Sequence, residues 1–66
     1  MNIDRFKIET ILAEKEMTRA MLSASSGISR PSISVIIRRG TCEPKTAGKI
    51  AAGLGVTVSE ILAKEA

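Results

Sequence analysis

Arg30, Arg38 and Arg39 bracket a stretch whose other polar side chains are the hydroxyls of Ser29, Ser32 and Ser34, and the pair Thr18-Arg19 stands one short element earlier. Guanidinium and hydroxyl groups at this density are hydrogen-bond donors, suited to holding an anion. Residues 17–49 carry six cations, Arg19, Arg30, Arg38, Arg39, Lys45 and Lys49, against the single acid Glu43, a balance of +5. The flanks carry four cations against six acids, a balance of −2, so the net charge of +3 is concentrated in the centre. A basic centre between slightly acidic ends is the pattern of a localised polyanion-binding face. It is equally the pattern of an unevenly charged solvated surface, and charge alone does not separate the two.

Other chemistries find little support. Acid–base catalysis needs a positioned titratable group in a pocket. This chain has no histidine and no tyrosine, and its carboxylates are scattered along polar faces, so an enzyme is not expected. The single cysteine, Cys42, cannot form a disulfide within the chain, and without histidine no zinc site is expected. Cys42 reads as a partly packed small residue, with a redox switch as the alternative. Phe6 is the only aromatic residue, whereas single-strand readers rely on stacking platforms, so RNA is disfavoured as a ligand. No cofactor and no small-molecule ligand are expected. The N-terminal residues alternate charged and apolar types, and no segment approaches the roughly 20 apolar residues of a membrane span. Those features predict a soluble protein of the cytoplasm.

The elements that must position these groups are legible from punctuation and periodicity. The 66 residues are enough for one small domain, 1–66. We read it as all-α, a compact bundle of five short helices. The first runs from about Ile3 to Lys15, with Ile8, Ile11 and Leu12 at helical spacing and Phe6 near the same face. The second starts after Thr18 as N-cap and stops at Gly27. Its small residues Ser23 to Ser26 allow a close helix approach. The third follows Ser29, with Ile28 as a staple and Pro31 in the first turn, and buries Ile33, Ile36 and Ile37 before Gly40. Val35-Ile36-Ile37 also fits a short strand, but caps at both ends favour helix. The fourth spans Pro44 to Leu54 with Ala47, Ile50, Ala51 and Leu54 as its apolar face. Gly48 and Gly53 each weaken it by about 1 kcal/mol relative to alanine. The fifth begins after Thr57, where Thr57-Val58-Ser59-Glu60 is a capping-box pattern. Helices two and three, joined through Gly27-Ile28-Ser29, form a helix-turn-helix, a unit whose second helix enters the major groove of DNA.

Leu22, Gly27, Ile28, Ser29, Arg30, Ile33, Ser34 and Ile36 in this order resemble the phage repressor and Cro family, the Xre-like regulators. So do Pro44, Thr46, Lys49-Ile50-Ala51, Leu54-Gly55-Val56 and Glu60-Ile61-Leu62 further on. The resemblance runs from Met17 to Leu62. It implies a lambda-repressor-like fold and a sequence-specific regulator of transcription, a repressor, bound to double-stranded DNA. By position, it implies DNA contacts from Thr18 and Arg19, from Ser29, Arg30, Pro31, Ser32, Ser34 and Val35, and from Arg38, Arg39 and Lys45. Arg30 suits a bidentate contact to guanine, Pro31 and Val35 offer only apolar contacts, and Arg38 and Arg39 suit phosphates. Each has a plainer reading. Ser29 caps, Pro31 initiates, and Arg38 and Arg39 complement the negative end of their helix.

A single small module offers few base contacts, so a homodimer on a palindromic site is expected, with Val56, Val58, Ile61 and Leu62 as its surface or, equally, as plain core. The alternative is a protein-interaction module of the same fold, an antitoxin or antirepressor, which requires an exposed apolar patch. Three departures from the family stand out. Many members place an arginine late in the first helix and a glutamate late in the third as a buried ion pair, where this chain has Leu12 and Ile37. Joint replacement by packed hydrophobes avoids an uncompensated charge, which predicts that both residues lie close together in the core. Arg19 stands where a glutamine is common, and an extra residue precedes Gly40.

Overall fold

The computed structural model describes residues 1–64; Glu65 and Ala66, the end of the expected 1–66 domain, lie outside the described residues. Four α-helices follow one another: α1 (Arg5–Glu14), α2 (Arg19–Ser26), α3 (Arg30–Arg39) and α4 (Pro44–Leu54). Each boundary has a local cause. Asp4 caps α1, its carboxylate accepting from the N–H groups of Phe6 (2.9 Å) and Lys7 (3.2 Å). Thr18 caps α2 through a bond from the N–H of Met21 (3.1 Å). Gly27 and Gly40, at φ 74° and 71°, end α2 and α3 in the left-handed conformation that other residues adopt only with strain. The segment Val35-Ile36-Ile37 is helical, as the flanking caps require.

Two expectations at the chain ends are corrected. The first helix begins at Arg5, not Ile3, and the expected fifth helix is a single 3₁₀ turn, Val58–Glu60. The same contacts cause both. Asn2 and Ile3 are extended and pair with Thr41 and Leu62 through isolated antiparallel bridges. The N–H of Ile3 donates to Gly40 (2.9 Å), that of Asp4 to Ile61 (2.8 Å) and that of Ala63 to Asn2 (3.1 Å). The capping signal at Thr57 does operate, since its N–H donates to the Glu60 carboxylate (2.8 Å). Ile61 is then drawn wholly into the core, and the chain leaves the turn extended to meet the N-terminal segment. Tertiary pairing outweighs a helix nucleus only a few residues long, whose formation is costly alone.

One core holds the four helices together. Its fully buried side chains are Ile8, Leu22, Ile33, Ile50, Leu54 and Ile61, each contributing about 1.5–3 kcal/mol by burial. Ala47 and Ala51 complete the expected apolar face of α4. Leu12 and Ile37 are both buried members of this same core, and no polar or charged side chain is buried among the described residues. Ile11 and Ile36 are half-buried at its edge. Phe6 is not on the core face: it is 71% exposed. Of the residues that fit either a dimer surface or plain core, Ile61 is fully buried, and Val56 and Val58 pack against the core.

α2 and α4 make the closest approach. A Cβ on Gly53 would stand 2.9 Å from Ser26 Cβ and 3.1 Å from Leu22 Cδ1. Ser25 Oγ donates to the Gly53 carbonyl across the gap (3.0 Å). The small residues of α2 therefore admit α4. Gly48 has open space where its Cβ would be. The two glycines, alike in the sequence, should behave oppositely in urea unfolding. Gly48→Ala should stabilise by about 0.5–1 kcal/mol through helix propensity. Gly53→Ala should destabilise by about 1–3 kcal/mol through overpacking. Equal shifts of the two midpoints would contradict this assignment.

Candidate nucleic-acid interface

The outer surface of α3 is defined by what the core leaves over. Ile33 and Ile37 are buried one helical turn apart, so the residues opposite them face solvent. At the four-residue spacing of a helix, Arg30, Ser34 and Arg38 form one exposed row. Pro31, Val35 and Arg39 form the adjacent row, with Val35 half-buried. Ser29 caps the helix: its hydroxyl oxygen accepts from the N–H of Ser32 (3.4 Å) and donates to Ser32 Oγ (2.8 Å). The turn before it is braced by Ser23 Oγ, which donates to the Ile28 carbonyl (2.6 Å). These bonds fix the start of α3 relative to α2.

A surface groove of about 480 Å³ lies between α3 and α4, lined by Ile28, Pro31, Ser32, Val35, Ile36, Thr46 and Lys49. Three sequence-predicted site residues, Pro31, Ser32 and Val35, thus share one wall, and α4 supplies the other. Thr46 and Lys49 are outside the expected contact set, although the sequence already places Lys49 in the basic centre and Thr46 in the family pattern. The available signal was the i, i+4 spacing of Lys45 and Lys49, which puts both cations on one side of α4. Lys45 is exposed in the first turn of α4, whose N-cap, Glu43, makes no side-chain capping bond. A cation at the positive end of a helix does not stabilise that helix, so helix stability does not account for it.

Among the described residues, most of the charge on this surface is uncompensated. Among the described residues the one ion pair is Arg19 Nη2 to Glu9 Oε1 (3.0 Å), joining α2 to α1. Arg30, Arg38, Arg39, Lys45 and Lys49 are exposed and have no carboxylate within ion-pair distance among the described residues. Arg38 and Arg39 lie in the last turn of α3, where their charge also complements the helix dipole. Arg19 differs from the rest in having its charge partly satisfied, and Thr18 Oγ1 is engaged as the α2 cap.

Cys42 is half-buried beside the N-terminal segment, its N–H donating to the Met1 carbonyl (3.0 Å). Burial pushes its thiol above the ordinary value, partly opposed by the nearby N-terminal charge. That favours the protonated, unreactive form and the reading as a packed small residue. Among the described residues, no cluster of three metal-ligating side chains occurs, and no helix is long and apolar enough to cross a membrane.

Comparison with curated proteins and with solved structures returned no match. A family model for the Cro/C1-type HTH DNA-binding domain matches residues 7–66, which leaves out only the first six residues. That family is one of DNA-binding domains and not of enzymes. With the helix-turn-helix pair at the centre of the matched span, this chain belongs to the Cro/C1-type HTH DNA-binding domain family.

Proposed function

We propose that this protein is a sequence-specific transcriptional repressor that inserts α3 into the major groove of double-stranded DNA. The observation that carries the reading is the pair of outward rows on α3, without a carboxylate partner among the described residues and braced at their start by Ser29 and Ser23. Arg30 in the first turn supplies a bidentate donor for guanine O6 and N7. Ser34 follows it in the same row, and Pro31 and Val35 offer apolar contact to a thymine methyl. Arg38, Arg39, Lys45 and Lys49 neutralise phosphates on either side, and Thr18 and Arg19 hold the backbone at the start of α2. Ten residues of recognition helix read few base pairs, so two copies act on a palindromic site.

Selection from a randomised duplex library at moderate salt tests this directly. A palindrome should be enriched, and Arg30→Ala should lose about 1–3 kcal/mol of discrimination at one position in each half-site. No enrichment, with only weak salt-sensitive binding, would favour the same fold acting as a protein-interaction module. The exposed Phe6 on α1 speaks for that second reading.

The Glu9–Arg19 pair generates a second expectation. To reach phosphate, the Arg19 guanidinium must leave the Glu9 carboxylate at 3.0 Å. Glu9→Gln removes that competitor, so duplex affinity at low salt should rise several-fold. The plot of log affinity against log salt should steepen by up to about one, the share of a single released counterion. In Arg19→Ala protein, adding Glu9→Gln should cause no such steepening. An unchanged slope for Glu9→Gln alone would remove Arg19 from the phosphate contacts.

A further inference from the structure

We propose that Phe6 and the groove beside it form the surface on which a second copy of this chain docks, with the Arg5–Phe6 pair of each copy seated in the groove of the other. The inference rests on the two-copy reading above and specifies where the copies meet.

Phe6 is the only aromatic residue, and at 71% exposure it is the most solvent-exposed large apolar side chain among the described residues. Next to it runs a groove of about 390 Å³ lined by Phe6, Lys7, Thr10, Ile11, Glu14 and Glu60. Its ionic character is acidic in effect. Lys7 Nζ is tied to the Leu62 carbonyl (3.0 Å), while the carboxylates of Glu14 and Glu60 have no cationic partner among the described residues. Glu60 is held in place by the N–H of Thr57 (2.8 Å). The projecting half carries the opposite charge: the Arg5 guanidinium lies 5.6 Å over the Phe6 ring and pairs with no carboxylate among the described residues.

A projection of ring plus cation thus adjoins a hollow of aliphatic floor plus carboxylates, on one face. A two-fold axis passing beside Phe6 brings each projection to the partner's hollow, which is the self-complementarity that an isologous dimer requires. Electrostatics select the same face. The chain carries +3 overall and its basic centre repels a second copy, whereas acids outnumber cations in the segments that flank it. The C-terminal alternative is closed to Ile61, which is fully buried. A Phe-centred contact falls well short of the roughly 800 Å² per partner of a standard interface, so association in free solution is weak and is completed on a two-site duplex.

Sedimentation equilibrium on the intact protein without DNA, at low salt and up to millimolar concentration, reads this out. The wild type should show reversible dimerisation. Phe6→Ser, a change at an exposed position that circular dichroism should show to be folded, should weaken it more than tenfold. Arg5→Glu and Glu14→Lys should each weaken it alone, and an equimolar mixture of the two should recover association, because the mixed pair restores opposite charges at both contacts. A wild type that stays monomeric throughout, a Phe6→Ser protein that dimerises like wild type, or a mixture that fails to recover would each overturn the proposal. The first of these would leave Phe6 to a different protein partner. Binding to a single half-site separates the two readings. Phe6→Ser should keep wild-type affinity there and lose only cooperative filling of a palindrome. Loss of half-site binding by the wild type itself would overturn DNA reading without touching the dimer.

Discussion

The position of α3 depends on how closely α4 can approach α2. At Gly53 there is no room for a methyl group, and α2 answers with Ser25, Ser26 and the side of Leu22. Because α4 presents bare backbone at Gly53 to the small side chains of α2, Leu22, Ile50 and Leu54 can share one core with Ile33 of α3. A chain of this size has no disulfide to compensate for loose packing, so the fit of these few side chains carries the fold. A wider α2–α4 contact would leave Ile33 without a wall, and α3 would lose the support that holds its outer rows in place.

Much of this was legible in the residues. The four helices, the caps of α2 and α3 and the apolar faces of α3 and α4 follow from local rules that agree with one another. Ser29 with Pro31 starts α3, Gly40 stops it, and Ile33 and Ile37 give it an inner side. The illegible parts depend on distant partners. Thr57-Glu60 is a sound helix signal and forms its bond, yet the segment is too short to resist pairing with Ile3 across the fold. Phe6 has the type of a core residue and the spacing of a near-core residue. The terminal segments instead bring Ile3 and Ile61 into the core, and Phe6 stays exposed. At the candidate interface, the α3 residues could be named from their register. That Thr46 and Lys49 stand beside Pro31 and Ser32 could not be read there, because this proximity is a property of helix packing. Gly48 and Gly53 illustrate the same limit, since identical residues in one helix differ in what stands opposite them.

Leu12 and Ile37 show how the core and the charged surface are kept apart. A buried ion pair repays its desolvation only with good geometry and complete hydrogen bonding, and removing one partner alone is costly. Here both positions are apolar and both are buried. The interior of the described residues then contains no charge to satisfy, and the cations of residues 17–49 are all left at the surface. The unspent positive charge of α3 and α4 is thereby available to an external anion instead of an internal carboxylate. Arg19 is the exception, and its partner Glu9 belongs to α1, outside the basic centre.

This separation also decides how freely the surface of α3 can vary. Ile33 and Ile37 fix the helix, whereas Arg30, Ser34 and Arg38 are exposed, so exchanging them costs little stability. Ser29 and Ser32 are tied together through the cap and are less free, since loss of the cap costs about 1 kcal/mol. Specificity can therefore change by substitution in the outer rows while the start of the helix stays fixed. A reading head with few base contacts needs that combination: variable side chains on a helix whose first turn is capped by Ser29 and whose preceding turn is braced by Ser23.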